Sequence, residues 1–330
     1  MTYSSGGLIQ ATDYNTFTTT AGGLNDIWAT GSGDKGWGQT AFTAASTGGT
    51  VTATQWASLV NNLATSGTQT GTTLTSRSAP TAGTTIGILA NVAADITSVT
   101  TNRGNAAAVG TEYGVFSGTT SKTTATGSGQ TAWTITFTHT VTFPSADQAR
   151  YFWNAGGRVR LQYGKSSTGT DSDPDWNTFA GQCGSIYISG RVNSAAQTIA
   201  GTSYTGTTRI GGTGGTQTTL ATTTGWYQLT TSPATVFQLN NATAPYSGEY
   251  IRTTATATSS TVLTLVTTWV SDGSSGAGTT ANITGGSAVA SPATSIGAAT
   301  APTTLVTYIP PSTASLTDTW GTPTIAATTA

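Results

Sequence analysis

Charged side chains are scarce in this chain. Only 7% of its 330 residues are Asp, Glu, Lys or Arg, against roughly 25% in an average soluble protein. The net charge is −1, so the chain offers no basic patch that would bind nucleic acid. Because a nearly neutral surface protects a protein poorly against self-association, we expect copies of the chain or other proteins to cover much of it.

Residue types that carry much of catalytic chemistry are also scarce. Cys183 is the only cysteine and His139 the only histidine, which excludes an intramolecular disulfide and a cysteine-rich zinc site. A Ser-His-Asp or Cys-His device would have to use His139, but His139 lies within a strand pattern and is predicted to be a buried core residue. Cys183 lies at a turn into a strand with no activating base nearby in sequence, so we expect it to be inert.

Only two glutamates occur, Glu112 and Glu249. Glycoside hydrolysis needs two acids that flank the sugar. Neither glutamate lies in a recognisable motif, although the sequence leaves open a pair formed in space. The motifs of phosphate-binding loops and of serine hydrolases are missing as well. The sequence therefore predicts no catalytic, cofactor-binding or metal-ligating residue, and we expect a protein that is not an enzyme.

Long apolar runs are missing. None approaches the ~20 residues that a transmembrane helix needs, and the first residues, MTYSSGGLIQ, lack the basic and apolar regions of a signal peptide. We expect a protein that is made in the cytoplasm and is not inserted into a membrane. The chain does contain nine Trp, eleven Tyr and eight Phe, which together with the low net charge indicate a packed core rather than disorder.

Two similar segments near the N-terminus predict helices. They are LIQATDYNTF (8–17) and TVTATQWASL (50–59). In each, an aromatic residue and an apolar residue three positions later fall on one helix face. We interpret the preceding threonines, Thr12 and Thr54, as N-caps.

A third helix is predicted after Pro80. Apolar residues recur there at helical spacing, and Gly104 is suited to the position that follows a helix end. The apolar positions are Ile88 or Leu89, Val92, Ile96 and Val99. Because this stripe is narrow, we expect it to pack on the first two helices or on copies of itself. Residues 1–117 are therefore interpreted as a helical assembly or docking region.

The periodicity changes from helical to alternating after a Gly/Ser/Thr linker at 118–130. The segment WTITFTHTVTF (133–143) alternates apolar residues with threonine, the strongest strand pattern in the chain. Turn residues separate the strands predicted after it, which are GRVRLQYG, GSIYISGRV, WYQLTT, TVFQLN, EYIRTTATA, TVLTLVTTWV and TLVTYI. We expect a mainly β fold with a helical N-terminal region, an antiparallel sandwich or jelly-roll-like domain over 131–309, and an extended tail over 310–330 that straps onto a neighbour.

The stretch QARYFWNAGGRVRLQYG (148–164) concentrates cationic and aromatic residues. Asn154 to Gly157 suit a tight turn, so we interpret the stretch as a hairpin of two strands. Arg158 and Arg160 would then share one face, where they could stack on aromatic rings or bind carboxylates of the nearby DSDPD segment. An anionic ligand is the alternative.

The segment DSDPDW places Asp171, Asp173 and Asp175 at alternate positions. An EF-hand would need Gly at its sixth position and Glu at its twelfth, where this chain has Trp176 and Gln182. We interpret the segment as a helix start, with Asp173 as the cap and Pro174 at the first position. A structural cation at these oxygens is the alternative.

Several segments, in their order along the chain, resemble virion structural proteins of tailed bacteriophages, above all marine cyanophages. The segments that carry the resemblance are ATDYNTF, GWGQ, VTATQW, ARYFWNAGGRVRL, GWYQLTTSPATVFQL and YSGEYIRTTATA. The resemblance implies an appendage, neck, tail or fibre-associated subunit of the particle, and it carries over no catalytic residue. With the composition, it makes us expect a homo-oligomer, a trimer above other states, that contacts other virion proteins.

Two other functions stay open at this point. One is a capsid decoration protein. The other is a receptor-binding module in which aromatic side chains stack on host surface glycans; the candidates are Trp226, Tyr227, Tyr246, Tyr250 and Trp269.

Overall fold

A computed structural model describes residues 11–46, 48–83, 91–106, 116–121, 132–165, 172–190, 197–199, 201–242, 246–272 and 302–330. The helices are α1 Ala11–Thr18, α2 Asn25–Trp28, α3 Ala53–Thr70, α4 Val92–Asn102, α5 Ala146–Asn154 and α6 Ser172–Gln182, with a 3₁₀ turn at Trp226–Gln228. The strands are β1 Phe116–Ser121, β2 Ala132–Thr142, β3 Arg158–Gly164, β4 Ser185–Ser189, β5 Gln197–Ile199, β6 Thr202–Tyr204, β7 Thr207–Ile210, β8 Thr216–Leu220, β9 Ala234–Asn240, β10 Tyr250–Ser259, β11 Val262–Asp272, β12 Thr303–Ile309 and β13 Thr324–Thr329.

The strands form two large antiparallel sheets and a small hairpin. The five-stranded sheet has the order β1-β12-β3-β4-β7, the six-stranded sheet has the order β13-β2-β11-β10-β9-β8, and β5 pairs with β6. The large sheets face each other, since Tyr163 of β3 stacks on Phe237 of β9 with ring centroids 6.0 Å apart. The predicted class, mainly β with a helical N-terminal region, is confirmed.

Strand β2 shows the alternation that was predicted for it. Ile135, Phe137, His139 and Val141 of β2 are fully buried, while the threonines between them are partly exposed. The segment WYQLTT was expected to be a strand and this was wrong, because Trp226–Gln228 forms the 3₁₀ turn that follows β8.

The structure corrects both predicted N-caps. Helix α3 begins one residue after Thr52, whose hydroxyl accepts from Gln55 N at 3.2 Å while Gln55 Oε1 accepts from Thr52 N at 2.9 Å. Such a reciprocal capping box needs Glu or Gln three residues after the cap, and Thr54 has Ala57 there. Helix α1 begins at Ala11, so Thr12 lies inside it.

The helices pack on one another within the chain. Tyr14 and Phe17 of α1 meet the Trp56 ring of α3 edge-on at 5.6 and 6.1 Å. In α4, Val92, Ile96 and Val99 are buried against α1 and α3. The C-cap of α4 is Arg103, so Gly104 takes the position after the helix end that was predicted for it. Ile88 and Leu89 lie outside the described residues.

The predicted hairpin at 148–164 is wrong in its first half. Residues 146–154 form α5, which Ser145 caps by accepting from Gln148 N at 3.1 Å. Ala149, Phe152 and Trp153 then fall on one buried helix face. The aromatic run that resembles a strand is therefore a helix, and its rings pack on Phe143, Tyr308 and Trp226. The turn at Gly156, with φ 104°, leads into β3.

Both predicted boundaries of the β domain are shifted. Strand β1 spans the expected junction of helical region and linker, and it pairs with β12 from Phe116↔Tyr308 to Ser121↔Thr303. Residues 122–130 of the linker lie outside the described residues. The tail contains a strand, β13, which pairs with β2 of its own chain, with Ala327 opposite His139.

Candidate functional site

Arg150 and Arg158 of the 148–164 stretch make structural contacts within the chain. Arg150 donates to Asp147 at 2.9 Å and to the Thr30 carbonyl at 3.2 Å. Arg158 is 2% exposed, and its guanidinium lies 4.6 Å from the ring centroid of Tyr204 in β6. Stacking of an arginine on an aromatic ring, one of the predicted roles, is thus confirmed for Arg158. Of the predicted carboxylate partners, Asp171 and the side chain of Asp173 lie outside the described residues.

His139 and Cys183 are both fully buried. Burial was predicted for His139, whereas Cys183 was predicted only to be inert. His139 lies between Leu265 of β11 and Ala327 of β13 in the register. The Cys183 thiol lies 3.6 Å from the Phe179 carbonyl at the end of α6, and burial raises its pKa above the ordinary value. A thiol of this kind stays protonated and is a poor nucleophile.

A buried polar cluster, missed by the sequence reasoning, joins α6 to the six-stranded sheet. Asn241 Nδ2 donates to Asp175 Oδ2 and, at 3.3 Å, to Glu249 Oε2. The Ser271 hydroxyl donates to Glu249 Oε1 at 3.2 Å. Asn241 and Glu249 face each other across the turn between β9 and β10, where Asn241 N donates to the Glu249 carbonyl at 2.9 Å.

Burial sets the protonation of this cluster. Burial is the main reason that the pKa of Glu249 is raised to about 8. The hydrogen bond from Asn241 lowers this pKa, and the negative charge of Asp175 raises it. The pKa of Asp175 is raised by burial too. With this pKa, the Glu249 carboxyl group is protonated near neutral pH. Because Glu249 is 1% exposed, a substrate could not reach it.

The cluster changes two expectations about acids. Glu249 does lie near a second carboxyl group, that of Asp175, because both accept a hydrogen bond from Asn241. Glu112, the other glutamate, lies outside the described residues. Helix α6 begins at Ser172, so Pro174 is not its first residue. Within the described ranges, no group of three or more His, Cys, Asp and Glu side chains could hold a metal ion.

Two of the five candidate aromatic residues for glycan stacking are core residues. Trp226 stacks on Trp153 with centroids 5.4 Å apart, and Trp269 is fully buried against Trp176 at 5.7 Å. The remaining three are partly exposed and are Tyr227, Tyr246 and Tyr250.

The outer face of the six-stranded sheet, the side turned away from the core, is nearly free of charge. Its rows across the strands can be read from the register. One row is Asn240–Tyr250–Val270–Thr134, and the next is Gln238–Arg252–Thr268–Thr136. The rows beyond consist of Thr, Val and Ala, for example Thr256–Thr264–Thr140–Ala326. Of all these positions only Arg252 is charged.

The four residues Gln238, Asn240, Tyr250 and Arg252 form a polar corner of this face, called the Tyr250–Arg252 patch below. The Arg252 guanidinium lies 5.5 Å from the Tyr250 ring centroid. Gln238 Nε2 donates to Asn240 Oδ1 at 3.0 Å, which fixes the amide group of Asn240. All four side chains are partly exposed.

The chain matches no protein-family model, no curated protein and no solved structure. Among the described helices, none is long and apolar enough to cross a membrane.

Proposed function

We propose that this chain is a non-enzymatic structural component of a tailed-phage virion, a fibre-type subunit of a tail or neck appendage that assembles as a homo-oligomer. The observation that carries the proposal is the uncharged exterior of the helical region. The exposed positions of α3 and α4 are Thr54, Ser58, Asn61, Ala64, Thr68, Ala93, Ala94, Thr97 and Thr101. A helix face that meets only water usually carries charged side chains, so this face suits contact with copies or with other virion proteins.

The charged residues of the helical region support the same interpretation, because they are used internally. Asp95 of α4 is 7% exposed and pairs with Arg77. Arg103 pairs with Asp34, and Lys35 pairs with Asp26 at 2.6 Å. Little charge is left to prevent close approach of a second copy. The narrow stripe of α4 cannot form the trimer contact, since it is buried within the chain, so the assembly surface is the outer side of the helices.

Hydrogen bonds between the helical region and the tail suit a virion subunit, which has to be stable. Gln39 and Thr317, which are 278 residues apart, exchange two hydrogen bonds of 2.9 and 3.0 Å. The Trp37 indole donates to the Asn154 carbonyl at 3.2 Å, and Thr319 donates to the Trp37 carbonyl at 2.6 Å. The helical region, α5 and the tail are therefore held together as one body.

Assembly is tested by measuring the mass of the purified chain by light scattering over a hundredfold range of concentration. We expect a defined multiple of 33.1 kDa. A Ser58→Glu, Asn61→Glu variant puts like charges on the α3 face, and it should raise the concentration for half-assembly at least about tenfold. The matched control is Thr142→Glu on the sheet face, which should assemble normally.

Position on a particle is tested separately. Antibodies against the chain should label the tail or neck of phage particles that contain it, and labelling of heads would favour the decoration alternative. A chain that is monomeric at every concentration and absent from particles would contradict the proposal.

A further inference from the structure

Arg252 is an exception in a chain that uses charge so sparingly. Other arginines are fixed by acceptors of the chain: Arg77 and Arg150 by carboxylates, and Arg209 by the carbonyls of Gln182 and Cys183. The Arg252 guanidinium makes no hydrogen bond and no ion pair with any residue in the described part of the chain. Its five N–H donors are therefore free to bind an acceptor that the described residues do not supply.

The neighbours of Arg252 are groups that recognise sugars. Cross-strand neighbours in a sheet have Cβ atoms about 5 Å apart, and Arg252 lies opposite Gln238 on one side and Thr268 on the other. Amide and hydroxyl groups can both donate to and accept from sugar hydroxyls. Tyr250 adds an aromatic surface with a polar tip. The patch thus offers one cation, one ring and several neutral polar groups on a flat, rigid support.

We propose that the Tyr250–Arg252 patch binds a saccharide that carries a carboxylate group. The guanidinium takes the carboxylate with two parallel hydrogen bonds. Gln238 and Asn240 bond the hydroxyls of the same sugar, and the Tyr250 ring covers its apolar side. The four patch residues are partly exposed on the outer face of the six-stranded sheet, so a polymer can lie along the neighbouring threonine rows. This site is independent of the proposed virion role, which rests on the helical region.

The experiment measures retardation of the full chain in native gels that contain polygalacturonate, dextran or dextran sulfate. Polygalacturonate should retard the chain, whereas neutral dextran should not. Arg252→Lys keeps the charge but loses the paired hydrogen bonds, and it should weaken binding about tenfold. Tyr250→Ala should weaken it about fivefold. Thr142→Ala, at the far end of the same sheet face, is the matched control and should bind like the parent.

The proposal is overturned by any of three results. The first is the absence of retardation by polygalacturonate. The second is stronger retardation by dextran sulfate at equal ionic strength, which would show general attraction of polyanions. The third is an Arg252→Lys variant that binds as well as the parent. Thermal unfolding of each variant shows whether the fold is kept, and oligomer mass measured alongside separates this test from that of the virion role.

Discussion

The Tyr227 hydroxyl donates a 2.7 Å hydrogen bond to Asn154 Oδ1. The amide nitrogen of the same Asn154 donates to the carbonyls of Gly36 and Gly33 at 3.2 and 3.4 Å. One buried side chain at the end of α5 therefore connects the turn after β8 to the loop before α3. Because the helical region and the sandwich meet at this residue, they should unfold together.

Asn154→Ala should lower the free energy of unfolding by about 3 kcal/mol, since it removes these bonds and leaves the Gly36 carbonyl without its donor. Tyr227→Phe removes one bond and should cost about 1 kcal/mol. Urea unfolding followed by tryptophan fluorescence and by circular dichroism measures both. Separate transitions for the two probes in the parent protein would contradict a single cooperative body.

Glu249 makes stability depend on pH. Its pKa of about 8 in the folded chain lies above the ordinary 4.5, so the folded state holds one more proton between these values. The stability that this proton contributes is fully present below pH 4.5 and is lost as the pH rises towards 8. Unfolding free energy measured from pH 5 to 8 should fall in the parent protein and change less in Glu249→Gln.

The control for the Glu249 prediction is Asp147→Asn, which removes a carboxylate from the exposed side of α5 and should keep the slope of the parent. Measurements stay below pH 8, because burial lowers the pKa of Lys165 to about 8. That group gives the opposite slope at higher pH, since its unfolded form then binds more protons. A Glu249→Gln variant as steep as the parent would show that Glu249 titrates normally.

Cys183 should react with a thiol reagent at least about a hundredfold more slowly in the folded protein than in urea, because a buried, protonated thiol must wait for opening of the structure. Absorbance of the released thiolate of Ellman's reagent measures the rate. A Cys183→Ala, Thr142→Cys variant places the thiol on the exposed sheet face and should react fast. Equal rates for the two proteins would contradict the burial of Cys183.

Removal of residues 324–330 should cause open-ended self-association. Strand β2 would then become an edge with free N–H and C=O groups and no charge to repel another strand. Light scattering should show mass that grows with time and concentration, unlike the defined oligomer of the full chain. Thr328→Lys keeps β13 paired and adds a charge at the edge, so it should not aggregate. A truncated chain of constant mass would contradict the prediction.

The sequence predicted those elements whose pattern is local. Strand β2 was found because threonine alternates with Ile135, Phe137 and Val141, which is a period of two over eleven residues. Helix α5 was missed because its consecutive aromatic residues also suit a strand. The readable signals were Ser145 as a cap and the helical spacing of Ala149, Phe152 and Trp153.

The polar cluster could be predicted only in part. A hairpin of β9 and β10 brings Asn241 near Glu249, and this follows from the turn between the strands. Asp175 joins them only because α6 packs beside β11, where Trp176 stacks on Trp269, and no local pattern encodes that packing. The Tyr250–Arg252 patch could also be predicted only in part. Tyr250 was a candidate from the sequence, but the register that puts Arg252 beside Gln238 depends on the pairing of β9 with β10.

The bonds between Gln39 and Thr317 affect how the protein is made. Loop closure over 278 residues is slow compared with local helix formation, and a ribosome that adds about 10 residues per second needs roughly half a minute to reach position 317. During synthesis, the segment around Trp37 stays without its partners Thr317 and Thr319 until these residues have been translated. An early nascent chain is therefore open to chaperones and proteases, whereas the folded chain is fastened by residues 317–319, which are translated much later than Trp37.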